Sequence, residues 1–166
     1  MTVKTLKDLF IHDLSDVYSA EKQLARALPK MARAAENAEL SAAFENHLGE
    51  TQGQIERIDR IVELCEIRLK RIKCSAMEGL VEEAQDAISE GDKGVVRDAA
   101  LIGCAQKVEH YEIASYGTLA TFARHLGFAE AAKLLEETLE EEKATDKKLS
   151  MLAESAINPN AEAVAA

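Results

Sequence analysis

The 166-residue sequence contains no tryptophan, and its aromatic residues amount to 4% of the chain. A core must therefore be assembled from Leu, Ile, Val and Ala, which suits closely packed helices better than aromatic-rich sheets. Only two prolines occur, Pro29 and Pro159, so few points force the chain out of a helix. The three cysteines, Cys65, Cys74 and Cys104, are odd in number and form no Cys-x-x-Cys pair. That excludes a disulfide framework, a zinc ribbon and a rubredoxin-like centre, and reads as reduced, mostly buried thiols in a cytosolic protein. No stretch approaches 18 consecutive apolar residues, so no membrane-spanning helix is expected. The first residues, MTVKTLKDL, lack the apolar run of a signal peptide. P-loop, dinucleotide and nucleophile-elbow motifs are absent too.

What remains is apolar and charged. Hydrophobic residues make up 47% and charged residues 30%, the balance of a globular domain. The formal net charge of −10 disfavours nucleic acid and anionic membranes as partners, since both are polyanions.

Turn signals divide the chain into helices. A first is expected over about Val3 to Ala35, with Pro29 producing a kink or break late in it. Asn37 then caps a second, about Ala38 to Leu69, whose end gathers Arg68, Lys70, Arg71 and Lys73. A short amphipathic helix over about Ser75 to Ser89 leads to the Gly91–Gly94 turn. A third long helix, about Val95 to Leu126, stops at Gly127, and a fourth runs from about Ala129 to Ala156, ended by Asn158-Pro159. Two hairpins joined by a long crossover predict an all-α, ferritin-like antiparallel four-helix bundle with a short extra helix in the crossover. Residues 1–157 are read as the bundle domain and 158–166 as a flexible tail.

Helical stepping of three and four residues places acids on the apolar stripes. Glu21 interrupts Phe10, Leu14, Val17, Leu24 and Leu28. Glu109 and Glu112 fall between Ile102, Ala105, Tyr116 and Leu119, and Glu142 lies between Leu135 and Leu149. The second helix brings His47, Thr51 and Gln54 inward, with Glu50 bordering that face. Glu112 and Glu142 stand 15 residues on either side of Gly127, and so lie level. Glu21, Glu50 and Gln54 lie within about one turn of each other about Asn37. Carboxylates gathered in a core must share protons, recruit Lys or Arg, or surround cations. The inward stripes offer no Lys or Arg at this level, which favours a dimetal site for iron or manganese.

Four segments carry a further likeness: Leu14–Gln23 (LSDVYSAEKQ), His47–Thr51 (HLGET), Val108–Tyr116 (VEHYEIASY) and Thr138–Asp146 (TLEEEKATD). Together they resemble the YciF-type family of ferritin-like proteins over nearly the whole chain. The resemblance implies a rubrerythrin-like bundle, commonly a homodimer, tied to bacterial stress responses and without an established activity. It implies Glu21, Glu50, Glu109, Glu112 and Glu142 as the carboxylates of a two-iron centre.

One departure stands out. The Glu-x-x-His pair of ferritin-like sites occurs nowhere, and His47-x-x-Glu50 reverses the order, with Gly53 where the histidine would be. His47 is either a ligand or the partner of Glu50. Gln54 and Asp146 can complete a coordination shell or serve as ordinary surface hydrogen-bonding groups. Tyr18 and Tyr116 are placed to hydrogen-bond site carboxylates. His12, His110 and His125 read as surface groups, and Glu136, Glu137, Glu140 and Glu141 as a solvated face. Two functions compete: a redox or metal-handling protein, whose turnover as an oxidase or peroxidase requires an external electron donor, and a non-catalytic stress or assembly protein whose site is structural or vestigial.

Overall fold

The computed structural model describes residues 3–164. Among them the regular structure is entirely helical: α1 (Leu6–Ala34), α2 (Ala38–Leu64), α3 (Ser75–Glu90), α4 (Val95–His125), α5 (Ala129–Leu152), a π-helical turn (Ala153–Ile157) and α6 (Asn158–Glu162). α1 begins at a capping box: Thr5 accepts the Asp8 amide while the Asp8 carboxylate takes the Thr5 amide. Asn37 caps α2 by accepting from the amides of Glu39 and Leu40. Gly127, at φ 76°, closes α4 in a Schellman turn, with bonds from Gly127 N to Arg124 O and from Phe128 N to Ala123 O.

α1 packs along α2 and α4 along α5, while α1–α4 and α2–α5 contacts complete a four-helix bundle. Asp98, in the first turn of α4, accepts the Glu36 and Asn37 amides at 2.8 Å each, so α4 starts beside the α1–α2 turn. α4 therefore runs opposite to α1, and every neighbouring pair is antiparallel. The crossover returns the chain from the far end as an irregular segment, residues 65–74, followed by α3 lying on α1 and α4.

Two element ends differ from the sequence expectation. α2 stops at Leu64, not near Leu69, because Glu66 adopts φ 50° and closes a Schellman turn through Ile67 N to Val62 O. The helical path continues past Asn158-Pro159 to Glu162, because the π-helical turn precedes Pro159 and leaves it in the first turn of a new helix, where no amide donor is required. Pro29 lies inside α1 without ending it.

The buried apolar residues form two clusters stacked along the bundle axis. One contains Leu24, Leu28, Phe44, Leu101, Ala105, Val108 and Leu149. The other contains Leu14, Val17, Ile58, Ile61, Tyr116, Leu119 and Leu135. On each long helix the residues between the two clusters are polar: Glu21 on α1, His47, Thr51 and Gln54 on α2, Glu109 and Glu112 on α4, and Thr138 and Glu142 on α5. A buried polar layer thus divides an otherwise hydrocarbon core. No described helix is long and apolar enough to cross a membrane.

Candidate metal centre

The polar layer excludes solvent almost completely. Glu21, Glu112 and Glu142 are 0% exposed, Glu109 is 1% and His47 is 3%. One ligand atom from each of His47, Glu109, Glu112 and Glu142 can be chosen so that all four lie within 4.8 Å of one another. Glu21 adjoins them from α1, with its Oε1 accepting the Tyr116 hydroxyl. His47 Nδ1 meets Glu50 Oε2 at 3.3 Å, and Thr145 donates to that same oxygen at 3.3 Å. On the other side of the ring, Nε2 lies 3.2 Å from Glu109 Oε1 and 4.0 Å from Glu142 Oε2. The Glu109 approach is within ion-pair reach but out of line for a hydrogen bond, so Nε2 has no partner.

Burial pushes the Glu21 carboxyl up to about 7, against the lowering influence of the Tyr116 bond and of the His47 charge. Glu112 is raised well above the ordinary carboxylate range by burial and by the neighbouring Glu21, Glu142 and Glu109. Glu142 is likewise raised by burial, which outweighs the His47 charge. For His47, burial favours the neutral ring, yet contacts with Glu109 and Glu50 outweigh it and hold the imidazolium well above its usual range. Without an added cation, then, this layer retains protons that water-exposed acids would release.

Besides Thr51 Oγ1 and Gln54 Oε1, seven buried atoms of the layer find no hydrogen-bond partner: Glu21 Oε2, His47 Nε2, Glu109 Oε2, and both oxygens of Glu112 and Glu142. A buried polar atom without a partner costs about 1–3 kcal/mol, and more when charged, so this concentration at one level marks the layer as a candidate site. The atoms are carboxylate oxygens and one imidazole nitrogen, a donor set that suits a first-row divalent cation. Four of the five carboxylates expected from the sequence are brought together here. Glu50 is not among them: its side chain is 45% exposed and stands at the rim, holding Nδ1 of His47.

Other site groups divide. Tyr116 reaches the carboxylate layer, through Glu21 and not through Glu112, whereas the Tyr18 ring lies beneath the Lys22 ammonium. Asp146 bonds Gln106 and approaches exposed His110, away from the layer. Gln54 is fully buried and donates to Glu141 at 3.1 Å. Glu141 is therefore not a simple solvated acid, since Arg57 also binds it through both guanidinium nitrogens, at 2.9 and 2.8 Å, and reaches Thr138 at 2.6 Å. Arg57 was absent from the sequence reading because it lies beside the stripe and reaches in with its long stem. A cavity of about 100 Å³ opens beside the layer. Its walls include Phe44, Ala105 and Leu149, and His47, Glu50 and Glu109 face it.

Residues 5–162 match a family described as a domain of unknown function, DUF892. The chain belongs to this family. Within DUF892 it is 64% identical over 163 residues to protein YciF of Escherichia coli K12, covering 98% of both chains. The crystal structure of the E. coli stress protein YciF superposes with a TM-score of 0.91 at 65% identity, over 94% of this chain and 99% of that one. YcfI of Rhodopseudomonas palustris, suggested to be a structural protein, superposes with a TM-score of 0.86 at 43% identity, over 89% and 94%. The YciF-type resemblance in the sequence is thus upheld across the chain.

Proposed function

We propose that this protein is a dimetal-carboxylate protein that holds two iron ions, or manganese, in the mid-bundle layer and serves redox or metal handling in a stress response. The observation that carries the reading is the set of partnerless carboxylate oxygens on Glu109, Glu112 and Glu142, facing one imidazole nitrogen within a water-excluded layer. Four buried carboxylates carry up to four negative charges, which two divalent cations balance. The stress context comes from the E. coli relative, whose description names a stress protein. Three buried, unpaired cysteines agree with a reducing, cytoplasmic setting.

The chain's own residues have distinct tasks in this reading. Glu109, Glu112 and Glu142 supply oxygens from two adjacent helices, and Glu21 completes the group from α1. Tyr116 donates to one Glu21 oxygen and leaves the other free. Glu50 fixes the His47 ring by accepting from Nδ1, so that Nε2 faces the carboxylates, an outer partner of the kind that orients metal-binding imidazoles. The apolar clusters above and below keep water from the layer. Bound iron would supply one-electron chemistry toward small oxygen species. Catalytic turnover would draw electrons from outside the chain, because no cysteine-ligated relay is present.

A second reading, a structural or assembly role with a vestigial site, draws on the missing Glu-x-x-His pair and on the role suggested for the R. palustris relative. Stopped-flow oxidation separates the two. With iron bound, hydrogen peroxide should oxidise the wild type faster than ferrous iron in matched buffer, and Glu112→Ala should lose the advantage. Equal rates for both proteins and buffer would favour the structural reading.

A further inference from the structure

Although acids exceed bases by ten, one face of the molecule concentrates positive charge. A surface hollow of about 600 Å³ lies between the outer side of α1 and the irregular segment 65–74. Lys22, Arg26, Lys70, Arg71 and Lys73 line it, and no acidic residue does. Lys73 pairs with exposed Glu78. Among the described residues, Lys22, Arg26, Lys70 and Arg71 have no carboxylate within ion-pair distance.

The placement is built into the fold. Lys70 N donates to Ser15 Oγ at 2.9 Å, Cys74 N to Ser19 Oγ at 3.0 Å, and Gln23 Nε2 to Cys74 O at 3.0 Å. Both ends of the stretch carrying Lys70, Arg71 and Lys73 are thereby pinned to α1 opposite Lys22 and Arg26. Like charges held on fixed backbone repel one another, and an anionic surface laid over them relieves that repulsion.

The patch is bounded. Ser15 to Arg26 spans about 17 Å of helix; the adjoining hollow on one side carries Asp13 and Asp16, and the one on the other mixes Asp8 and Glu66 with Lys7, Arg68 and Lys70. On the Asp13–Asp16 side a long uniform polyanion would run onto acids, whereas a compact acidic protein face would not. The groove also lies on the outside of α1, the helix whose inner side carries Glu21, so one helix separates it from the carboxylate layer. We propose that this groove docks an acidic electron-carrier protein. The docking stands on the charge arrangement alone; the electron delivery rests on the dimetal reading above.

The test uses an acidic [2Fe–2S] ferredoxin as probe. Titration calorimetry on the metal-free protein should give a complex whose Kd rises at least about tenfold from low to physiological salt. Kd should rise by a similar factor in Lys22→Glu/Arg71→Glu, while Lys107→Glu/Lys143→Glu, on other faces, stays near wild type beyond a general charge effect. With the ferric-loaded protein, one electron passes from each reduced ferredoxin cluster to a ferric ion. That rate should fall in the groove variant, while reduction by a neutral hydroquinone stays unchanged. Equal binding by the two double variants would overturn the docking, as would stronger competition from a 20-base-pair DNA duplex than from polyglutamate. Docking without reduction of loaded protein would overturn the electron carrier. A chain that takes up no metal would sink the proposed function and the electron delivery with it, and the calorimetry would still decide the docking.

Discussion

Removing the Glu21 charge should stabilise the metal-free protein at neutral and alkaline pH. Its carboxyl is buried in the polar layer and raised from an ordinary 4.5 to about 7. Below pH 4.5 both the folded and the unfolded chain hold the proton, and Glu21 contributes its full share of stability. As pH rises from about 4.5 to about 7, the unfolded chain releases the proton while the folded one keeps it, so stability falls across that window. At about 1.4 kcal/mol per pH unit, the rise corresponds to about 3 kcal/mol. Glu112 and Glu142, also raised well above the ordinary carboxylate range, add to the decline, and His47 adds to it once pH passes 6.5. Glu50, whose carboxyl is lowered chiefly by its bond to His47, acts in the opposite sense and loses its contribution only under acid conditions. Glu21→Gln imitates the protonated carboxyl and can still accept from Tyr116. Urea denaturation in the presence of a chelator should find the variant equal to wild type near pH 4.5 and more stable by up to about 3 kcal/mol near pH 8. Superimposable stability curves for the two proteins from pH 5 to 8 would show that no charge is being suppressed at this position.

Glu109→Ala should lose metal while remaining folded, whereas Glu136→Ala, at an exposed position paired with Arg124, should keep it; equal retention on elemental analysis would mean that the inward stripe is misassigned. Asp98→Ala should destabilise the fold by about 2–4 kcal/mol, because the buried carboxylate accepts two amides at the α1–α2 turn, and chemical denaturation measures the loss. Glu66→Gly should raise stability by up to about 1 kcal/mol by relieving the left-handed backbone at φ 50°, read as a higher thermal midpoint. Light scattering should find a homodimer, as the family resemblance implies, and a stable monomer or a 24-subunit shell would contradict it.

Much of the fold was legible because the signals are local and periodic. Asn37 and Gly127 mark turns through their own backbone chemistry, and the three-four stepping of apolar residues carries the inward face without reference to any neighbour. The α2 terminus was not legible, since a glutamate occupies the left-handed position where glycine is the usual marker. Neither was the helical path through Pro159, because a π-helical turn leaves no compositional trace. In the site, Glu21, Glu109, Glu112 and Glu142 announced themselves as acids inside apolar stripes. Glu50 did not resolve in the same way: a residue bordering a stripe can turn inward or stay at the rim, and only the placement of His47 and Thr145 decides that. The Arg57–Glu141 pair was hidden for a related reason, as a long side chain brings its charge well away from the position of its own Cα.

The most direct test of the central claim is metal stoichiometry. Protein reconstituted with ferrous iron without oxygen, freed of excess metal and analysed by elemental mass spectrometry, should hold two ions per chain, with anomalous scattering peaks between Glu109, Glu112 and Glu142. A reproducible value near zero, with no anomalous peak in that layer, would contradict it.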